Sequence, residues 1–295
     1  MIHLLLLHGG ATLSLAQFSV HPSTAIGIAV LAALYAARTR RGYREGRRVG
    51  RTAPALFAGA LVTLFFALNG WIHDLSDYYL FSAHMVQHLL LALVVAPLFV
   101  AGTPGWMLEP ALRWRGIAPA ARWATHPFRT FVIFNVVFAA WHLPVLYNLA
   151  MQHHDVHIVQ HLMFLVASVL MWWPLLSPVP ELPRLAYPMQ MLYVFLLSIA
   201  MSIVSVYIVY ADSLLYPAYA SAPRIWTISP MQDQLIGGLI MWIPGGLYFL
   251  AVISLIFFLW QRESAERDMR VPHPRRGESG ALPAPPAPEH LPVAH

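Results

Sequence analysis

The sequence predicts an all-α polytopic membrane protein, a bundle of about seven transmembrane helices, and three observations predict it. Of its 295 residues 58% are hydrophobic and 11% are charged, and the mean hydropathy is +0.60. Soluble domains carry about 25% charged residues. The apolar residues fall in blocks of about 20, the length that a helix needs to cross a bilayer. The arginines concentrate in alternate loops between these blocks.

Taken in order along the chain, the apolar blocks define the predicted spans. They cover residues 20–37, 53–72, 84–101, 128–147, 157–176, 188–210 and 236–260. The first span has the least support, because Pro22 interrupts its start. The predicted organisation is an N-terminal segment (1–19), a seven-helix transmembrane domain (20–260) and a disordered tail rich in Pro and Ala (261–295).

The distribution of arginine predicts the orientation of the bundle. The loop from Arg38 to Arg51 carries seven arginines and one glutamate, whereas the alternate loops hold a single arginine, Arg224. Cytoplasmic loops carry the excess of basic residues in membrane proteins. We therefore expect segment 1–19 to be periplasmic, with the N-terminus outside and the tail in the cytoplasm.

The composition also excludes several classes of protein. The chain has no Cys, which excludes thiolate metal ligands, disulfides and iron–sulfur clusters. It has no Lys either, which excludes a retinal Schiff base. The arginines lie in loops between spans, not on one folded basic module, so the lipid bilayer is an expected partner and nucleic acid is not.

Five histidines are predicted to meet in the outer half of the membrane. His84 and His88 lie one turn apart on the third span, and His157 and His161 repeat this spacing on the fifth. His142 ends the fourth span at about the same depth. Ionisable residues inside a membrane are costly and usually functional. We expect three or four of these imidazoles to coordinate one or two metal ions.

The spacing of the histidines does not determine which metal binds or what the remaining polar residues do. Imidazole suits zinc, copper, nickel and iron, and thioether selects Cu(I). Thioethers at the outer helix ends therefore favour copper, as Cu(I); they belong to Met85, Met151, Met231 and Met241. His73 and His126 are interpreted as interfacial or hydrogen-bonded residues, and His3, His8 and His21 as surface residues. Asp233 either orients a ligating histidine or is a solvated loop acid.

These residues also carry a resemblance to a known family. The stretches concerned are His84-Met85-Val86-Gln87-His88-Leu89-Leu90, Ala96-Pro97-Leu98, Gly102-Thr103-Pro104 and Trp141-His142-Leu143-Pro144 with Tyr147-Asn148. They resemble the motifs of the polytopic CtaG-type cytochrome c oxidase assembly factors, over roughly residues 20–260. The family name also covers an unrelated single-span copper chaperone that uses cysteines, which this chain lacks.

The resemblance implies a multi-pass protein of the bacterial inner membrane that helps to mature a haem–copper oxidase by aiding copper delivery. Its implied partners are cytochrome c oxidase subunits and a periplasmic copper donor. It implies a metallochaperone and not an enzyme.

Two other functions fit the histidine pattern. In a b-type cytochrome, His88 and His161 would be axial haem ligands on facing helices. In a zinc-dependent membrane hydrolase, three histidines would hold the metal and Asp233, Asp74 or Asp155 would act as the base. Pairs spaced i, i+4 on one helix favour a small ion over haem, whose axial ligands approach from opposite faces.

Overall fold

A computed structural model of the protein describes residues 18–224 and 226–270, and over these residues the chain is helical, without strands. The helices in chain order are α1 (Pro22–Arg44), α2 (Thr52–Leu68), α3 (Gly70–Tyr78), α4 (Phe81–Leu89), α5 (Ala96–Gly102), α6 (Glu109–Leu112), α7 (Ile117–Ala124), α8 (Pro127–His142), α9 (Pro144–Gln152), α10 (His154–Leu176), α11 (Tyr187–Val209) and α12 (Pro230–Arg270). A π-helical segment, Leu90–Val95, joins α4 to α5.

The predicted fold class is confirmed. Within the described residues, five helical segments are long and apolar enough to cross a membrane, and the number is seven when each of two bent helix pairs is counted as one span. The protein is therefore a multi-pass membrane protein. Apolar side chains such as Val136, Ile203 and Leu247 are more than 60% exposed, as lipid-facing residues should be.

The two bent pairs have identifiable causes. Helices α2 and α3 meet at an angle of 40°, where Gly70 has a φ of +64° that L side chains rarely adopt. Helices α8 and α9 meet at 70°, immediately before Pro144. The proline ring disfavours a helical conformation at Leu143, whose φ and ψ are −67° and 135°. Pro22, in contrast, does not interrupt the first span, because it is the first residue of α1.

The core lies around α10, which packs against α8, α5 and the π-helical segment. Its largest buried side chains include Phe134, Phe164 and Met171. The indole of Trp172 donates a hydrogen bond of 2.8 Å to the carbonyl of Ala92 in the π-helical segment. In this segment the backbone hydrogen bonds follow the wider π-helical spacing, and the bond from Trp172 gives the Ala92 oxygen a further partner.

At the arginine-rich end of the bundle, the short helix α6 is bonded to the segment that follows α1. The guanidinium of Arg47 donates two hydrogen bonds, of 3.1 and 3.0 Å, to the carboxylate of Glu109. This bonding lowers the pKa of Glu109. Arg47 also lies 5.6 Å from the ring centre of Trp106, whose indole fills the space above Gly42.

The C-terminal part differs from the sequence prediction. We expected a disordered tail from residue 261, but α12 continues to Arg270. Contacts divide the chain after Phe257, and residues 258–270 are the described part of the second unit. Glu and Arg side chains pair one turn apart in this part, with Arg262 3.0 Å from Glu266, and such pairs stabilise a helix. The rest of the predicted tail (271–295) and segment 1–17, with His3 and His8, lie outside the described residues.

Candidate metal centre

The five predicted histidines are all buried in one region of the bundle. Their relative exposures are 0% for His84, 3% for His88, 1% for His142, 6% for His157 and 8% for His161. Helix α4 carries the first pair, α10 carries the second, and the kink before Pro144 ends α8 at His142. The side chains that sequence spacing placed at one depth therefore lie together.

The two pairs, His84 with His88 on α4 and His157 with His161 on α10, pack against each other. His84 and His88 are in contact through their Nε2 atoms, 2.9 Å apart. Across the helix interface, ring centres are 5.2 Å apart for His84 and His157, and 5.7 Å for His88 and His161. One ligand atom from each of His84, His88 and His161 lies within 4.8 Å of the others. We call these residues the three-histidine set.

Hydrogen bonds fix which nitrogen two of the imidazoles can offer to a ligand. The Nδ1 atom of His84 lies 3.2 Å from the Tyr219 hydroxyl, which itself donates to the carbonyl of Ser76 at 2.7 Å. The hydroxyl oxygen therefore accepts from His84 Nδ1–H, which leaves the lone pair on Nε2. His142 is held in the same tautomer, because its Nδ1 lies 2.6 Å from the carbonyl of Phe138.

Several buried imidazole nitrogens have no hydrogen-bond partner. Among the five predicted histidines, and counting partners only within the described residues, they are His88 Nδ1, His142 Nε2, His157 Nε2 and His161 Nε2. Buried polar atoms in native proteins are nearly always paired, and each exception calls for an explanation such as an ion. Four such atoms on neighbouring side chains form a donor set with the chemistry of a transition-metal site.

A tyrosine cluster that the sequence analysis missed closes one side of the centre. The segment after α11 folds inward, so that Tyr216 and Tyr219 are 0% and 2% exposed. The Tyr216 hydroxyl donates to the carbonyl of His142 at 2.8 Å, and the hydroxyl oxygens of Tyr147 and Tyr219 are 2.9 Å apart. Burial raises the pKa of Tyr219, so its hydroxyl stays protonated. No sequence signal marks these residues, because their partners lie on distant helices.

Asp233 is an anchor for α4 and not a solvated acid. It is fully buried, and its two carboxylate oxygens accept the backbone N–H groups of Phe81 at 2.7 Å and Ser82 at 3.1 Å. These groups belong to the first turn of α4, where no intrahelical acceptor exists. Asp233 thus supports the helix that carries His84 and His88, without touching either ring.

Asp77 and His73 lie beside the centre although the sequence analysis gave them no role there. The Asp77 carboxylate is 3.3 Å from His73 Nε2 and 3.6 Å from His157 Nδ1. His73 is 6% exposed and its Nδ1 lies 3.3 Å from the side-chain amide nitrogen of Gln87, so it is a buried, hydrogen-bonded residue. The i, i+4 spacing of His73 and Asp77 on α3 is the signal that could have identified this pair.

The methionines contact other groups. The Met151 sulfur lies 3.7 Å from the Tyr219 hydroxyl, and the Met231 sulfur is 3.9 Å from the amide of Gln234. Met85 packs toward Gly237 on α12, where an added Cβ would lie 3.2 Å from its Cγ. These contacts are those of packing residues.

The geometry of the centre can be compared with the two other functions that the pattern left open. A porphyrin between His88 and His161 would have to share its space with His84, whose Nε2 is 2.9 Å from that of His88. Phe164 is stacked on the His88 ring at 4.2 Å. Of the candidate hydrolytic bases, Asp233 caps α4, Asp74 accepts a 2.5 Å hydrogen bond from Ser19, and Asp155 is exposed.

A family model described as cytochrome c oxidase caa3 assembly factor, CtaG, matches residues 33–263 of the chain. The chain belongs to this family. The family is one of cytochrome c oxidase assembly factors, and the matched range includes all five histidines.

Similar curated proteins come from mycobacteria. An uncharacterized protein of Mycobacterium bovis is 26% identical over 62% of this chain and 30% of its own length. An uncharacterized protein of Mycobacterium leprae is 25% identical over 75% of this chain and 37% of its own length. The chain thus spans about a third of the length of these relatives. No solved structure matches the chain.

Proposed function

We propose that this assembly factor holds copper as cargo in the three-histidine set and delivers it to cytochrome c oxidase. The observation that carries the proposal is the convergence of His84, His88 and His161 within 4.8 Å, with unpartnered nitrogens on His88 and His161. A haem–copper oxidase needs copper, so copper is the cargo that a buried imidazole cluster in its assembly factor would hold. His142 and His157 flank the set.

Copper fits both the donor atoms and the task. Imidazole binds copper well, and the absence of thiolate leaves the ion more readily exchanged than a cysteine site would. Cargo must be released, so moderate affinity favours transfer. The choice of Cu(I), which the sequence pattern favours through its thioethers, stays a prediction. The proposal therefore rests on imidazole ligands, without a commitment to one oxidation state.

The proposed location is the inner membrane of a bacterium, with the histidines near the periplasmic face. The positive-inside rule supports this orientation, because the arginine-rich loops lie at the opposite ends of the same helices. A periplasmic donor could then load the ion, and a membrane-embedded oxidase subunit could receive it at a similar depth. The protein acts as a metallochaperone and not as an enzyme in this scheme.

Analysis of the oxidase from a strain that lacks the protein tests the proposal. We expect the oxidase to keep its polypeptides and haem, to have a lower copper-to-haem ratio and to consume oxygen slowly. Added copper should partly restore activity. The wild-type gene and a His126→Ala control should restore the ratio, because His126 is exposed and distant in the fold from the centre. The double variant His84→Ala/His161→Ala should not. Full copper content with missing haem would contradict the proposal.

A further inference from the structure

A second group of ligand atoms overlaps the three-histidine set. Asp77, His84 and His157 each offer an atom within 4.8 Å of the others, with Asp77 Oδ2 3.6 Å from His157 Nδ1. Ligands on bonds of about 2.0–2.2 Å at a tetrahedral ion are about 3.3–3.6 Å apart. This separation therefore suits two ligands of one ion better than a direct hydrogen bond, which is typically about 2.9 Å.

The surroundings of Asp77 favour a cation. Its side chain is 10% exposed, and its ion-pair partners among the described residues are the imidazoles of His73 and His157. A Ser76 hydroxyl lies 2.9 Å from its other oxygen. A carboxylate that is mostly removed from water is stabilised by a nearby positive charge. A bound metal ion would supply it.

A histidine-lined groove leads to this group. The groove has a volume of about 420 Å³ and lies between α1 and α10; its imidazoles belong to His21, His73, His154, His157 and His161. Exposure falls along it, from exposed His154 through half-buried His21 to His73 at 6%. The rings of His21 and His73 are in contact, with centres 4.2 Å apart.

We propose that Asp77, His157 and His84 form a loading site that receives a transition-metal ion before the three-histidine set does. His84 belongs to both groups, so the two hold one ion in succession and not two ions together. During transfer the bonds from Asp77 and His157 break as bonds from His88 and His161 form, while His84 stays bound. The step is ligand exchange, and the charge of the ion does not change. This inference rests on the proposed function of the three-histidine set.

The test uses purified full-length protein in detergent, with Cu²⁺ as the probe. In the variant His88→Ala/His161→Ala we expect about one ion per chain to remain, held at the loading site through oxygen and nitrogen ligands. Paramagnetic resonance should then show fewer coordinated nitrogens than in wild type. Adding Asp77→Asn to this variant should abolish the residual binding. Adding Asp74→Asn, the control on the same helix, should leave it intact.

Loading kinetics in the wild-type background provide a second measurement that does not depend on the double variant folding. Asp77→Asn alone should keep the final copper stoichiometry but slow loading about tenfold, whereas Asp74→Asn should not. Unchanged loading in Asp77→Asn, or a His88→Ala/His161→Ala variant that is folded but binds no copper, would overturn the loading site alone. Wild-type protein that binds no copper would overturn the proposed function as well.

Discussion

Replacement of Asp233 by Ala should loosen α4, the helix that carries His84 and His88. The carboxylate is fully buried and accepts the N–H groups of Phe81 and Ser82, 152 and 151 residues away in sequence. Both donors lie at the start of α4, where water cannot replace the lost acceptor. Because His84 follows within one turn, any movement of this helix start changes the position of its imidazole.

The expected loss of stability follows from the two hydrogen bonds that Asp233→Ala removes. A buried donor left without a partner costs about 1–3 kcal/mol, and loss of an N-terminal cap costs about 0.5–2 kcal/mol. These contributions overlap, so we expect Asp233→Ala to lower the free energy of unfolding by about 2–5 kcal/mol. Copper affinity should fall by about tenfold, the size of effect seen when a group that supports metal ligands is removed.

Unfolding of the purified protein in mixed micelles of increasing denaturing-detergent content measures the first effect, and a competition titration with a copper chelator measures the second. Asp212→Ala is the matched control, because Asp212 is exposed in the segment after α11. Its free energy of unfolding should change by no more than about 0.5 kcal/mol. Equal stability of the two variants, or full copper affinity in Asp233→Ala, would refute the anchoring role.

Three further predictions concern the centre, the packing and the orientation. Tyr219→Phe removes the acceptor of His84 Nδ1–H and should weaken copper binding about 10-fold in a competition titration while the helical circular dichroism is retained; unchanged affinity would contradict the tautomer assignment. Gly105→Ala would place a Cβ 2.1 Å from the backbone carbonyl oxygen of Pro178 and should destabilise the protein by about 1–3 kcal/mol. The control Gly116→Ala should leave stability unchanged, because a Cβ there meets nothing within 4 Å. Equal thermal unfolding midpoints for the two variants would contradict this packing. A reporter enzyme active only in the periplasm and fused after Gln261 should be inactive, and clear activity would reverse the proposed orientation.

The parts of this protein that could be predicted from the sequence are those with a local signal. Long apolar blocks define the spans, and the i, i+4 spacing of His84 with His88 and of His157 with His161 sets each pair on one helix face. The matched depth of His142 followed from its place at a span end.

The groups that support the centre could not be predicted, because they act across the fold. Tyr219 meets His84 across 135 residues, and Asp233 meets Phe81 across 152. Only tertiary packing brings such pairs together. Asp77 is an intermediate case, since its spacing from His73 is local but its distance to His157 depends on how α3 and α10 pack.

The central claim is that buried imidazoles hold copper, and the metal content of purified full-length protein tests it most directly. After exposure to copper and gel filtration, wild type and His126→Ala should retain about one ion per chain, and the double variant His84→Ala/His161→Ala should retain almost none. The absorption spectrum of wild type should show no Soret band. Equal copper in the double variant and the wild type, or a strong Soret band from bound haem, would contradict the account.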